Sequence, residues 1–259
     1  MAGRRAVAFP ARGESAGGDG VGTVVAEQAR LAAVWAFRAH AEQGARARFA
    51  VIAALLRRCH EDDALTREAH AASEDELRHE GICRRLADSL GGAAPPPDAD
   101  LPDLASPSWT PYQHATFALV ASCCVTESIN AAVLGASLAR CDHPPARAAL
   151  RELLRDEVRH AQLGWAQLEL ARSRIDLAFL APRIPQVFEQ TFRADFFRVG
   201  PAVDARDEAL GARWGVLPHS ASVAVVRGVV MDAVLPGLDR VGVDTGDARA
   251  WWSANAAPP

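Results

Sequence analysis

The chain reads as all-α, an antiparallel bundle of four helices followed by additional C-terminal helices. Three observations lead there. The phrase Asp-Glu-x-x-His occurs twice, as Asp75-Glu76-Leu77-Arg78-His79 and Asp156-Glu157-Val158-Arg159-His160. Each copy lies in a stretch with helical apolar spacing. Each follows a further glutamate on an apolar stripe, Glu42 lying 34 residues before Glu76 and Glu127 lying 30 before Glu157.

The first helix is expected from Thr23, a plausible N-cap, to about Arg58. Its apolar positions are Leu31, Trp35, Ala39, Ala45, Phe49, Ile52 and Leu56, and Glu42 sits among them. A carboxylate on such a stripe is costly unless its charge is compensated. A turn at His60–Asp63 leads to a second helix over about 64–90, stopped by Gly91-Gly92. Its inward face holds Leu65, Ala72, Glu76, His79, Cys83 and Leu86.

A proline-rich linker over 91–109 can carry the chain the length of a bundle. Thr110-Pro111 starts a third helix, running to about Arg140, with Val120, Cys124, Glu127, Ala131, Leu134 and Leu138 as its stripe. The fourth is expected over about 146–173, turning Leu150, Leu153, Glu157, His160, Gly164 and Leu168 inward. The domain division is therefore a disordered lead over 1–22, a bundle over 23–173 and a helical extension over 174–259 packed on the bundle. In the extension, Pro182 and Pro185 interrupt a helical segment that reaches about Phe197, and 220–239 reads as a helix capped at His219 or Ser220 and bent near Pro236. Residues 241–259, with Trp251-Trp252, read as an irregular tail.

Composition narrows the function. The chain has 259 residues, 49% hydrophobic and 23% charged, which is ordinary for a soluble globular protein. Net charge is −4 with no basic stripe, so nucleic acid is not an expected partner. No run of eighteen apolar residues stands out, so no membrane span is expected. The apolar run before Pro10 is too short for a signal-peptide core. Five cysteines without a CxxC pair suggest reduced thiols in a cytoplasmic protein.

Glu76 and His79 lie three apart on one helix face, and so do Glu157 and His160. Glu42 and Glu127 add one carboxylate each from the other two helices. Four carboxylates balance two divalent cations, which makes a buried cluster of this kind tolerable. Bland readings apply elsewhere. Glu80 is a surface partner for Arg84, Arg78 and Arg159 pair with nearby acids, and Cys123 and Cys124 are core residues. The four-residue difference between the two spacings calls for a longer hairpin turn or a local bulge.

At Glu42, Asp75-Glu76-x-x-His79, Glu127 and Asp156-Glu157-x-x-His160 the chain resembles the ferritin-like superfamily of carboxylate-bridged di-iron proteins, over roughly residues 23–173. The resemblance implies Glu42, Glu76, His79, Glu127, Glu157 and His160 as ligands of two iron ions, with manganese as the alternative metal. It implies that Asp75 orients His160 and that Asp156 orients His79. Rubrerythrin-like sites carry another glutamate where this chain has Asn130. Arylamine N-oxygenases resembling p-aminobenzoate N-oxygenase carry a histidine where it has Leu153. The only tyrosine, Tyr112, lies fifteen residues before Glu127, about 22 Å along a helix, too far for a radical beside the metals.

The function expected from the resemblance is oxidation of a small organic substrate by O₂ at a di-iron site, fed by an external electron donor such as a reductase. A homodimer is the expected assembly. Two alternatives stand beside it: iron handling as a ferroxidase or peroxide scavenger, and a metal-stapled scaffold without catalysis.

Overall fold

The computed structural model describes residues 20–59, 63–95, 103–192 and 205–256. Among them there are helices and no strand. Residues 1–19 of the lead expected over 1–22, the turn at 60–62, the proline-rich stretch 96–102, the segment 193–204 and the last three residues lie outside the described residues, while residues 20–22 of that lead are helical.

Helix α1 spans Gly20–Arg58, beginning three residues before Thr23. Helix α2 spans Asp63–Ser89. It ends as Gly91-Gly92 predicts: both have positive φ, 105° and 75°, and Gly92 N–H returns to Ala87 O at 2.9 Å. The third run is not one uniform helix. Helix α3, Pro111–Leu119, passes into a π-helix over Val120–Glu127 and then into α4, Ser128–Arg140. Thr110 caps it with a full capping box to Gln113, with Pro111 in the first turn. Helix α5 spans Pro144–Ala171, capped by the His143 side chain.

The first two runs pack along each other as a hairpin, and α5 packs on α4 and the π-helix. Contacts of α2 with α5 and of α1 with α3 close the ring. Two apolar layers lie inside. One is built on Leu31, Trp35, Leu86, Leu134, Leu150 and Leu153. The other is built on Phe49, Ile52, Leu56, Ala72 and Leu119. The predicted polar residues sit between these layers in the sequence of every run.

The C-terminal helices pack on α4 and the π-helix, and share an apolar cluster with Phe117 of α3 and with Leu168 and Ala171 of α5. After a 3₁₀ turn at Ala178–Arg183 come α6, Ile184–Thr191, and α7, Ala205–Arg213. Helix α8, His219–Val229, continues through a second π-helix, Val230–Val234, into α9, Leu235–Arg240. Pro218, without a side-chain bond, occupies the cap position that was expected of His219 or Ser220. The irregularity falls just before Pro236, whose missing N–H breaks the regular ladder. The predicted irregular tail is instead α10, Gly246–Asn255. It is helical because Trp252 is buried against Phe188 and Phe192, with Trp251 stacked beside them. Tertiary burial organised a segment with little local pattern of its own.

The expectation about apolar length also needs correcting. By length and composition, Pro111–Arg140 and His219–Arg240 are apolar enough to cross a membrane, with mean hydropathies of 1.7 and 1.6. In the first the cause is visible: a helix enclosed by neighbours is apolar around most of its circumference.

Two glycines set close approaches. Gly164 on α5 faces the π-helix so tightly that a Cβ would fall 2.4 Å from Cys123 Cβ. Gly215, after α7, has φ +71°, and a Cβ there would fall 2.3 Å from Leu150 Cδ1. The turn it makes seats Trp214 on His143, ring centroids 3.6 Å apart, at the end of the ring of helices.

Candidate metal centre

All six predicted ligand residues are buried: Glu42, Glu76, His79, Glu127, Glu157 and His160. Glu42, Glu76, His79 and Glu157 each offer a ligand atom within 4.8 Å of the others. His160 joins them through Nδ1, 3.0 Å from both Glu76 Oε1 and Glu157 Oε2. Glu127 lies against Glu157.

The two glutamates of the repeated motif are shared between the two histidines. Glu76 turns Oε2 toward His79 Nδ1 at 3.2 Å and Oε1 toward His160 Nδ1 at 3.0 Å. Glu157 turns Oε1 toward His79 Nδ1 at 3.7 Å and Oε2 toward His160 Nδ1 at 3.0 Å. Glu42 Oε2 stands 3.9 Å from His79 Nδ1. The histidine rings are 6.2 Å apart, centroid to centroid, and Phe49 packs on His160 at 5.0 Å.

Behind each histidine an aspartate from the opposite motif faces the other ring nitrogen. His79 Nε2 lies 3.2 Å from Asp156 Oδ2, and His160 Nε2 lies 3.3 Å from Asp75 Oδ2. A proton on Nε2 donated to the aspartate leaves the Nδ1 lone pair turned to the cluster. Arginines then cover the aspartates from outside. Arg78 donates to Asp156 at 2.6 Å and to Asp75 at 2.8 Å; Arg159 donates to Asp75 at 2.6 Å. Arg155 adds a two-pronged contact to Asp156. Burial would raise the Asp156 carboxyl, yet these partners hold it below its ordinary range.

The electrostatics are those of a crowded, desolvated carboxylate cluster. Burial, then the charge of Glu76, pushes Glu42 well above the usual carboxylate range. Burial, then Glu127, does the same to Glu157, and burial with Glu76 raises Glu127. Glu76 is the exception: burial works upward, but the His160 and His79 imidazoles beside it hold it at about 2. His160 is pushed up to about 10, its carboxylate partners Glu157 and Glu76 outweighing burial. Two carboxylate oxygens fall outside this hydrogen bonding. Glu127 Oε1 has no partner, and Glu76 Oε1, close as it is to His160, is out of line for a bond. Buried acceptors of this kind are costly unless something else satisfies them.

Sequence reasoning missed three neighbours. Asn130 Nδ2 donates to Glu157 Oε1 at 3.0 Å, one turn after Glu127. Phe49 was on the predicted stripe but not assigned to His160. Arg38, four residues before Glu42 on the same stripe, was passed over, though a cation there was a signal in its own right. Glu80 pairs with Arg84 as expected, and two histidines of these helices are engaged elsewhere, His70 with Arg57 and His114 with Ser106 O. All five cysteines are free thiols.

Comparison with family models, with curated proteins and with solved structures finds no match to this chain.

Proposed function

We propose that the chain is a ferritin-like antiparallel four-helix bundle, cytoplasmic, whose core holds two iron ions and uses them with O₂ to oxidise a small organic molecule. The observation that carries this reading is the shared geometry of Glu76 and Glu157, each presenting one oxygen to each histidine Nδ1. Glu42, Glu76, Glu127 and Glu157, with His79 and His160, would hold two divalent cations, which would neutralise four buried negative charges and satisfy the orphaned oxygens. A donor set of oxygen and imidazole nitrogen suits iron or manganese. Burial raises the nearby thiols Cys83, Cys123 and Cys124, so none offers a thiolate.

When bound, a ferrous pair supplies two electrons to O₂ together. The chain's own residues prepare for that. His79 and His160 present Nδ1, held in orientation by Asp156 and Asp75. The apolar layers on either side keep water from the centre, which strengthens every charge interaction inside. A separate reductase would renew the electrons between turnovers.

Anaerobic titration with ferrous ion should give two irons per chain, and admitting O₂ should produce measurable oxygen uptake. The double variant Glu76→Ala with His160→Ala should lose both. Wild type that takes up no metal, or a double variant with unchanged uptake, would overturn the proposal. Oxygen uptake that only oxidises added iron, with no organic product, would shift it to ferroxidase.

A further inference from the structure

Arg38 is half-buried and puts a cation on the helix that carries Glu42, without an ion-pair partner among the described residues. It lies on α1 one turn before Glu42 and faces the same interior as Leu31, Trp35 and Phe49. A guanidinium carries five N–H donors. One nitrogen, Nη2, donates to Gly215 O at 2.9 Å. The guanidinium carbon stands 4.5 Å over the centre of the Trp35 ring. Nη1 is sealed from solvent and meets no hydrogen-bond partner among the described residues. Leaving a buried guanidinium this poorly paired is expensive.

Charge balance sharpens the point. Four glutamates and two divalent cations sum to zero, so in the filled centre Arg38 is one uncompensated positive charge. We propose that Arg38 binds the anionic end of the substrate, a small organic monocarboxylate, through Nη1. This rests on the two-metal reading above. A planar guanidinium matches a carboxylate in shape and charge. Arg38 and Glu42 lie one turn apart on α1, about 6 Å along the axis, so the two side chains leave the helix on the same side. The apolar cluster around Trp35 includes Leu134 and Leu153, which favours a carbon skeleton behind the charge. A single excess charge fits a monoanion better than a phosphate dianion.

The test uses the full chain loaded with cobalt(II), a redox-silent probe metal. Sodium acetate, butyrate and hexanoate are titrated calorimetrically at constant ionic strength, with acetamide and butanol as neutral counterparts. At least one carboxylate should bind saturably and the neutral compounds should not. Arg38→Met should weaken that binding by tenfold or more at unchanged metal stoichiometry, with Arg38→Lys in between. Equal binding in Arg38→Met, equal binding of acetamide, or no carboxylate binding by loaded wild type would overturn the inference. If Arg38→Met fails to fold, the wild-type carboxylate-against-amide comparison and the lysine variant still decide it. Failure of the two-metal reading shows separately, as absent cobalt uptake, and would take this inference with it.

Discussion

At the scale of single residues, the proposed centre depends on side chains that would not touch a metal. Asp156 contributes by holding His79 Nε2 and by accepting from Arg78 and Arg155. Asp156→Asn keeps the shape but loses the charge that fixes the tautomer. Metal affinity, measured by competition with a chelator, should fall about 10–100-fold. The surface variant Arg84→Ala should leave it unchanged. Gly164 acts through what it lacks. Its missing Cβ lets α5 approach the π-helix, so Gly164→Ala must push Cys123 or the helix itself aside. Overpacking of this kind costs about 1–3 kcal/mol, and urea denaturation of the metal-free chain should show it. An unchanged midpoint would mean that the two helices part without penalty.

At the scale of elements, the decisive feature is the π-helix that ends on Glu127. A regular α-helix through 111–140 would set the residues on either side in a different rotational phase, since each extra residue turns the face by about 100°. The widened turns leave carbonyls looking for donors. Hydroxyls five residues on supply them: Thr126 Oγ1 bonds Ala121 O at 2.9 Å, and Ser128 Oγ reaches Cys123 O at 3.5 Å. Ser128 in turn accepts from Trp165 Nε1 at 3.1 Å. Deleting Ala121 should favour a regular helix and turn Glu127 out of phase with the residues before it. The variant should stay helical by circular dichroism and take up at least one metal fewer than the two proposed for the wild type. A full complement of metal after the deletion would show that the phase shift is not needed. A π-helix was not legible in the sequence, because the residues 120–127 keep an apolar pattern compatible with either ladder. The unequal spacing of 34 and 30 between the paired glutamates does not report it either, because the π-helix lies before Glu127 and outside both intervals.

At the scale of the whole molecule, the cluster ties folding, protons and metal together. Glu42, Glu127 and Glu157 are raised above the ordinary 4.5, and His160 is raised from 6.5 to about 10. All four therefore hold protons in the metal-free fold that the unfolded chain releases. Their contribution is fully present below the unfolded values and is lost as pH rises through the folded ones. Glu76, held at about 2, acts the other way and loses its contribution only in acid. The melting temperature of the metal-free chain should thus fall between pH 6 and pH 9. Metal competes with the same protons, and each proton released makes apparent affinity about tenfold higher per pH unit. Calorimetric melting of both forms should show the gap between loaded and metal-free chains widening with pH. A constant gap would mean that no proton leaves on loading.

How much of this was readable beforehand differs by kind. The four helical runs and the six inward-facing ligand candidates are local statements. They follow from the 3.6-residue repeat, which places residues three or four apart on one face, and from the cost of a bare carboxylate on an apolar stripe, whereas the crossed aspartates were implied only by the resemblance. Helix 246–255, the π-helix before Glu127 and the seat of Arg38 beside Gly215 are not local. Each lies against a distant part of the chain, Phe188, Gly164 or the turn after α7, on a stretch whose own pattern allowed other conformations. The sequence by itself determined which chemical groups face inward. The tertiary structure decided their register, their distances and which of them are left without partners, because packing across helices sets those quantities and no periodicity along one helix contains them.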